Sequence, residues 1–334
     1  MADVARLANV SMSTVSRALA DNPLIPKQKR LEIQKIATDA GYVINQSARA
    51  LRLRKTQTVA VVFPLGHDRG QLISDPFFIE MFGRLADEIT MRDYQVLLCR
   101  VVDTSKGWLD KLIQSQRQDG IIVVGQSDQH DVLNQVAGYY DPMVVWGGHL
   151  PGQTYCSVGT DNIKGAQRAV EHLLSLGRRR IAFLGMPDLP EVGLRHQGYL
   201  RALQTVGIQP DPALVVPAQF SFETAFEATR ELIGRGIKFD AVFAASDTIA
   251  IAAIQALTSA GMKIPEDVSV VGFDDIAMAA QAAPPLTSVQ QDLAGGARAI
   301  VDLLFKRIAG EEALSATLSP KLVVRKSCGS PNLN

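Results

Sequence analysis

The segment DVARLANVSMSTVSRAL (residues 3–19) decides the fold of the N-terminal region. Apolar residues recur at helical spacing over residues 3–8 and again over residues 12–20. The tripeptide between them, Asn9-Val10-Ser11, is typical of a tight turn, and the Ser11 hydroxyl is a good N-cap for the following helix. Two short helices joined by such a turn predict a helix-turn-helix.

A third helix is predicted over residues 27–40, with Pro26 at its start and Gly41 at its end. Its apolar side chains complete a small three-helix core. On the second helix, Ser13 and Arg17 are four residues apart and therefore project together. An arginine in this position can reach guanine or phosphate in a major groove, although an ordinary solvent-exposed arginine fits the same pattern.

The charge of the chain is unevenly distributed. Its 34 Lys and Arg residues equal its 34 Asp and Glu residues, so the net charge is zero. Residues 1–55 nevertheless hold ten basic and four acidic residues, a net charge of +6, and the remainder carries −6. A basic region attached to an acidic one is typical of a polyanion-binding module. The alternative is a solvated, charged helix face.

The segment NQSARALRL (residues 45–53) is basic and compatible with a short helix. A helix of this length is marginal in water, so we expect it to order on binding. Leu51 is a candidate apolar wedge for a minor-groove base step, and ordinary packing against the three-helix core is the alternative.

Residues 3–19, followed by GYVINQSARALR (residues 41–52), resemble the signature of the LacI/GalR family of transcription regulators. The resemblance implies that the second helix enters the major groove and that a hinge helix pairs with its dimer mate in the minor groove. It also implies double-stranded, near-palindromic operator DNA as partner, bound by a homodimer. The implied DNA-binding residues are Ser11, Met12, Ser13, Thr14, Ser16, Arg17, Asn22, Asn45, Ala48, Arg49 and Leu51.

After residue 55 the pattern changes to short apolar strands that alternate with helices of 10–15 residues. This alternation predicts parallel, doubly wound sheets, and the length suits two α/β lobes. A second series of strands is expected to begin near residues 156–159. Ligands of open α/β sheets bind beyond the carboxyl ends of the strands, so residues at those ends are candidates for a binding site.

Several residues beyond strand ends have suitable chemistry. Phe77 and Phe78 can stack on a sugar ring, but we expect one of them to be a core residue. Arg195, placed at a helix start, suits bidentate recognition of hydroxyl or carboxylate groups. Ser246 and Asp274 offer acceptors for a polyhydroxylated ligand, and helix capping explains such residues equally well.

The segments GTDNIKGA (159–166), EDVSVVGFDD (266–275) and PPLTSVQQD (284–292) are also similar to landmarks of this family. The resemblance implies a periplasmic-binding-protein-like core whose lobes are joined by crossovers near Gly159, Val289 and Lys321. Two positions depart from the family pattern, since Ser246 replaces a common Asn or Asp and Gly148 replaces an Asp. The implied effector-binding residues are Phe77, Phe78, Arg195, Phe220, Ser246, Asp274 and Gln291.

The predicted fold is therefore α/β, with an all-α helix-turn-helix head before the two-lobed core. We expect a DNA-binding domain over residues 1–43, a hinge over 44–56 and an effector-binding and dimerisation core over 57–334. Within the core, lobe 1 is expected over about 57–158 and 290–320, and lobe 2 over about 159–289 and 321–330.

The resulting hypothesis is a repressor of a carbohydrate-utilisation operon, regulated by a small sugar-like effector. A sugar-transport protein is expected to carry a signal peptide and to lack a basic head. This sequence shows no signal-peptide pattern and has a basic head. An oxidoreductase would need a Gly-x-Gly-x-x-Gly turn after the first strand, which is missing. We expect no catalytic residue, cofactor, metal or membrane span. Three scattered cysteines favour the cytoplasm.

Overall fold

A computed structural model describes residues 1–42, 55–66, 70–105 and 107–330. The chain divides into two compact units, Met1–Thr56 and Gln57–Asn334. The first unit is called the head and the second the core. Most of the predicted hinge, including the proposed contacts Asn45, Ala48, Arg49 and Leu51, lies outside the described residues.

The head contains the helices α1 (Ala2–Leu7), α2 (Met12–Leu19) and α3 (Lys27–Asp39). Ser11 caps α2, since its hydroxyl accepts a hydrogen bond from the Thr14 amide at 3.1 Å. Val4, Val15 and Ile33 meet in a small apolar core. The predicted helix-turn-helix is confirmed.

The core alternates strands and helices as the sequence predicted. Its strands are β1 (Thr58–Pro64), β2 (Gln95–Val101), β3 (Gly120–Val124), β4 (Met143–Trp146), β5 (Cys156–Thr160), β6 (Ile181–Leu184), β7 (Val215–Val216), β8 (Ala241–Ala244), β9 (Ser269–Asp274), β10 (Thr287–Gln290), β11 (Ala316–Leu318) and β12 (Lys321–Val323). Its helices are α4 (Pro76–Thr90), α5 (Trp108–Gln114), α6 (His130–Ala137), α7 (Asn162–Ser175), α8 (Pro190–Thr205), α9 (Phe222–Gly234), α10 (Asp247–Ser259) and α11 (Leu293–Ile308).

The strands form two sheets, each the centre of one lobe. The first sheet has the order β11-β5-β4-β3-β1-β2, and its strands are all parallel. The second has the order β12-β10-β9-β8-β6-β7, in which only the β10–β12 pair is antiparallel. Buried apolar side chains cover the sheets, because both faces of a parallel sheet pack against helices. The predicted fold class is confirmed.

One strand belongs to a different series from the one predicted. β5 was expected to begin the second series of strands, but it pairs with β4 and β11 in the first sheet. The chain crosses to the second lobe only after Thr160, where Asp161 caps α7. It returns after β10 and crosses again between β11 and β12. A strand carries the same apolar pattern in either lobe, so the sequence pattern does not indicate which sheet it joins.

Candidate functional site

The exposed side of α2 carries three of the seven predicted DNA-contacting residues of the head. Met12 is 57% exposed, and Ser13 and Arg17 are also exposed. Arg17 forms no ion pair within the described part of the chain. These three side chains are therefore available to a partner, while Thr14 and Asn22 are partly buried.

Ser16 does not lie on this exposed side. Its residue is only 8% exposed, beside the buried Val15 and Ala18. Helical spacing predicts Ser16 on the same side as Arg17, but the residue is buried beside Val15 and Ala18 of the head's apolar core. The prediction that Ser16 is accessible is wrong.

Two basic residues near the start of α3 are already paired. Lys29 contacts Glu32 at 2.9 Å, and Arg30 contacts the Asp21 carboxylate at 3.1 Å. Arg30 also donates to the Asp21 carbonyl at 2.6 Å, which ties α3 to the end of α2. These cations consequently stabilise the head itself as well as raising its positive charge.

A cleft opens between the two lobes of the core, at the carboxyl ends of their strands. Its empty volume is about 710 Å³, part of it open to solvent. Six of the seven predicted effector residues line it: Phe77, Phe78, Arg195, Phe220, Ser246 and Asp274.

Aromatic side chains form the apolar part of the cleft wall. The Phe77 ring lies 5.9 Å from that of Phe78 and 6.4 Å from that of Trp146. Phe78 is mostly buried against Phe63, at 5.2 Å between ring centroids, and is chiefly a core residue. Phe77 and Phe220 are partly exposed. Planar faces of this kind suit the apolar face of a sugar ring.

Arg195 and Asp274 form a buried ion pair at the polar end of the cleft. The two residues are 6% and 9% exposed, and Nη1 of Arg195 lies 3.6 Å from Oδ1 of Asp274. Nε of Arg195 donates to Asn162 at 2.8 Å, and Nη1 also donates to the Ala245 carbonyl. The guanidinium stacks on the Phe273 ring at 3.8 Å from its centroid. Two of its three nitrogens, Nε and Nη1, thus already donate to protein acceptors.

Arg195 lies in the second turn of α8, not at a helix start as predicted. The helix begins earlier because Pro190 occupies its first position, where the missing amide hydrogen has no cost. The extra turn places the arginine inside the lobe, where burial lowers the pKa of the guanidinium against the opposing effect of Asp274.

Burial raises the pKa of the Asp274 carboxyl to about 7, against the lowering effect of Arg195 and Gln291. Gln291 donates to Oδ1 of Asp274 at 2.7 Å and is itself buried. It is not among the residues that line the cleft. Gln291 therefore positions Asp274, and its contact with the effector stays a prediction.

Ser246 both caps a helix and lines the cleft, the two alternatives that the sequence left open. It is the N-cap of α10, accepting from the Ile249 amide at 3.3 Å, and it also lines the cleft. Its neighbour Asp247 points elsewhere, since its carboxylate accepts from the Ile276 amide and the Ser288 hydroxyl. Asp247 therefore holds the segment after β9 in place.

Several residues that line the cleft were not predicted from the sequence. Glu191 accepts a hydrogen bond from the Gln126 amide at 3.1 Å and so links the two lobes across the cleft. Gln71 is 6% exposed, and its Oε1 receives no hydrogen bond from the described residues. Their place in the sequence could have indicated them, because each lies at or after the carboxyl end of a strand that reaches the cleft. The same holds for Ser127, Trp146, Leu189 and Val192.

Neither membrane nor metal features occur in the described ranges. Within residues 1–42, 55–66, 70–105 and 107–330, no helix is both long and apolar enough to cross a bilayer. The same ranges contain no group of three His, Cys, Asp or Glu side chains suited to a metal ion.

Comparison with known proteins identifies the family. Residues 1–45 match the model of the lacI family of bacterial regulatory proteins, and residues 170–328 match a periplasmic binding protein-like domain. The HTH-type transcriptional regulator CelR of Thermobifida fusca is 33% identical, over 97% of this chain and 96% of CelR. The chain belongs to the LacI family. It is accordingly a DNA-binding transcription regulator and not an enzyme.

Other LacI-family proteins show the same likeness along their whole length. The HTH-type transcriptional repressor CytR of Escherichia coli strain K12 is 30% identical, over 98% of this chain and 95% of CytR. A CelR–cellobiose complex superposes with a TM-score of 0.73 at 32% identity, covering 97% and 98% of the two chains. A lac repressor dimer bound to operator and the anti-inducer ONPF has a TM-score of 0.86 at 25% identity, covering 98% of each chain.

Proposed function

We propose that this protein is a repressor of a carbohydrate-utilisation operon and that a small sugar bound between its lobes modulates its affinity for operator DNA. The observation that carries the proposal is the cleft itself. It combines aromatic faces at Phe77 and Trp146 with the buried polar pair of Arg195 and Asp274. The likeness to CelR, whose complex contains cellobiose, supports a sugar as the effector.

On the DNA side, Met12, Ser13 and Arg17 of α2 read base edges in the major groove, because they are exposed together on one side of the helix. Ser11, Thr14 and Asn22 flank them, and Ser11 also caps the helix. The hinge residues Asn45, Ala48, Arg49 and Leu51 complete the proposed contacts in the minor groove. The protein acts in the cytoplasm as a homodimer on a near-palindromic site.

The proposed mechanism is a linkage between the two binding reactions. A sugar in the cleft contacts both lobes and therefore favours one relative orientation of them. The Glu191–Gln126 hydrogen bond spans the same gap. The lobe orientation sets the spacing of the two hinges in the dimer. A 10²-fold preference for one state corresponds to a coupling of about 2.7 kcal/mol.

The test combines DNA selection with ligand screening on the full chain. Selection from a random duplex library is expected to enrich a near-palindrome. Thermal shifts are then measured with neutral mono- and disaccharides, because a ligand that binds the native state raises its stability. A sugar that raises the melting temperature is expected to change the affinity for the selected duplex. Enrichment of no sequence, or a bound sugar without effect on DNA affinity, would contradict the proposal.

A further inference from the structure

The charged side chains that line the cleft are mostly acidic. Among the described residues the lining includes the carboxylates of Asp75, Glu191 and Asp274 and a single cation, Arg195. Arg195 pairs with Asp274, whose carboxyl is partly protonated near neutral pH because burial raises its pKa to about 7. Asp75 and Glu191 have no cation within 4 Å among the described residues. A ligand in the cleft therefore faces an excess of negative charge.

Arg195 is poorly arranged to receive an anion. Arginines that bind phosphate or carboxylate present two parallel N–H groups to the ligand. Here Nε donates to Asn162, Nη1 donates to the Ala245 carbonyl, and the Phe273 ring covers one face of the guanidinium. The side chain holds Asp274 in place. Its single positive charge also interacts with Glu191, so it does not balance all three carboxylates of the lining.

The polar groups of the cleft are instead suited to hydroxyl donors. The carboxylates accept hydrogen bonds, and Oε1 of Gln71 is a buried acceptor that no described residue satisfies. Sugar hydroxyls supply such donors, while the aromatic faces cover the C–H face of a ring.

We infer that the effector is an uncharged sugar and that the cleft rejects anionic sugars such as sugar phosphates and uronates. This inference rests on the proposed function, because it presupposes that a sugar binds between the lobes. Its physical basis is that like charges in a partly buried site are screened less than exposed ones. An anionic group placed beside Asp75, Glu191 and Asp274 loses its hydration and gains no free cation.

The experiment measures dissociation constants of the full chain by calorimetry for matched ligands. The sets are glucose with glucuronate and glucose 6-phosphate, galactose with galacturonate, and cellobiose with cellobiose 6′-phosphate. We expect at least one neutral member to bind and its anionic counterparts to bind at least tenfold more weakly. An anionic member that binds within tenfold of its neutral counterpart, or more tightly, overturns the inference but leaves a sugar effector intact. Binding of no member overturns the sugar effector as well.

Neutral variants test whether charge is the cause. Glu191→Gln and Asp75→Asn keep an acceptor oxygen for the Gln126 and Phe77 amides, which bond to them in the native chain. In the double variant the ratio of anionic to neutral dissociation constants is expected to fall at least fivefold. The control Glu227→Gln changes the same charge on an exposed side chain of α9. A ratio that is equal in the double variant and in the control contradicts the electrostatic explanation.

Discussion

Asp274 ends β9 in a conformation that few residues adopt. Its φ is +112° and that of Asp275 is +57°, and non-glycine residues in this region carry strain. The two side chains diverge as a result. Asp274 faces the cleft and Arg195, whereas Asp275 pairs with Arg325 at 2.7 Å and accepts from Gln290 at 2.9 Å. The strained turn thus delivers a carboxylate to the proposed effector site.

The raised pKa of Asp274 makes stability depend on pH. The pKa of Asp274 is about 7 in the folded state and has its usual value of 3.8 in the unfolded chain. Between pH 3.8 and 7 the native protein therefore binds one more proton than the unfolded chain. Folding therefore takes up a proton, and the contribution of Asp274 to the free energy of unfolding falls as the pH rises from about 4 to 7.

The variant Asp274→Asn isolates this contribution, because the amide oxygen can still accept from Gln291. Between pH 5 and 8 the free energy of unfolding of the native chain is expected to fall, relative to the variant, by on the order of 2 kcal/mol. Urea denaturation at a series of pH values measures the difference. Parallel pH curves for the two proteins would show that Asp274 ionises normally in the folded state.

At the scale of elements, the packing of α8 on α7 depends on one small residue. A Cβ atom at Gly198 would lie 2.2 Å from the Ile163 carbonyl oxygen and 2.8 Å from the Ala166 side chain. These are backbone and buried atoms that have little room to move. Because α8 carries both Arg195 and Glu191, a shift of this helix also displaces the polar end of the cleft.

We therefore expect Gly198→Ala to destabilise the core by about 1–3 kcal/mol, the usual cost of overpacking. The control Gly234→Ala lies at the end of α9, where an added Cβ meets nothing within 4 Å. It should be neutral or should stabilise the protein by a few tenths of a kcal/mol, since alanine is the better helix former. Thermal unfolding compares the two. Equal effects would mean that the α7–α8 contact adapts freely.

The helix α2 carries the proposed base-reading residues. Arg17→Ala should weaken binding to the selected operator by about 1–3 kcal/mol, or roughly five- to 160-fold, because one base contact is lost. The fold of the head is expected to persist, because Arg17 is exposed and lies outside the apolar core. Gel-shift titration against operator and random duplex measures the loss of specificity.

The matched control is Arg230→Ala, which removes the same charge from an exposed position on α9 in the core. It should leave operator affinity within about twofold of the native value. If Arg17→Ala has no greater effect than Arg230→Ala, α2 does not read the operator.

At the scale of the whole molecule, zero net charge is the sum of a basic N-terminal region at +6 and an acidic remainder at −6. Phosphate contacts release counterions, so operator affinity should fall steeply with salt, with a log–log slope of roughly −5 or steeper for a dimer. An uncharged sugar releases no counterions, and its affinity should vary little over the same range. Fluorescence anisotropy and calorimetry from 50 to 300 mM salt measure both. Similar slopes for the two ligands would contradict this separation.

The local pattern of the sequence was sufficient for the elements and the family. Helical spacing in residues 3–19, a capping Ser11 and the alternation of strands and helices all describe neighbours along the chain. The carboxyl ends of strands likewise indicated where the cleft would lie. These features depend on periodicity and on local hydrogen bonds, which the sequence contains directly.

Only the tertiary structure decided how distant residues combine. It assigned β5 to the first sheet and buried Ser16 in the head. It also bonded Gln291 to Asp274 and directed Nε of Arg195 to Asn162. It also revealed the Glu191–Gln126 bond between the lobes. Burial, ion pairing and shifted pKa values arise from contacts between residues far apart in the chain, and such contacts exist only once the elements have packed.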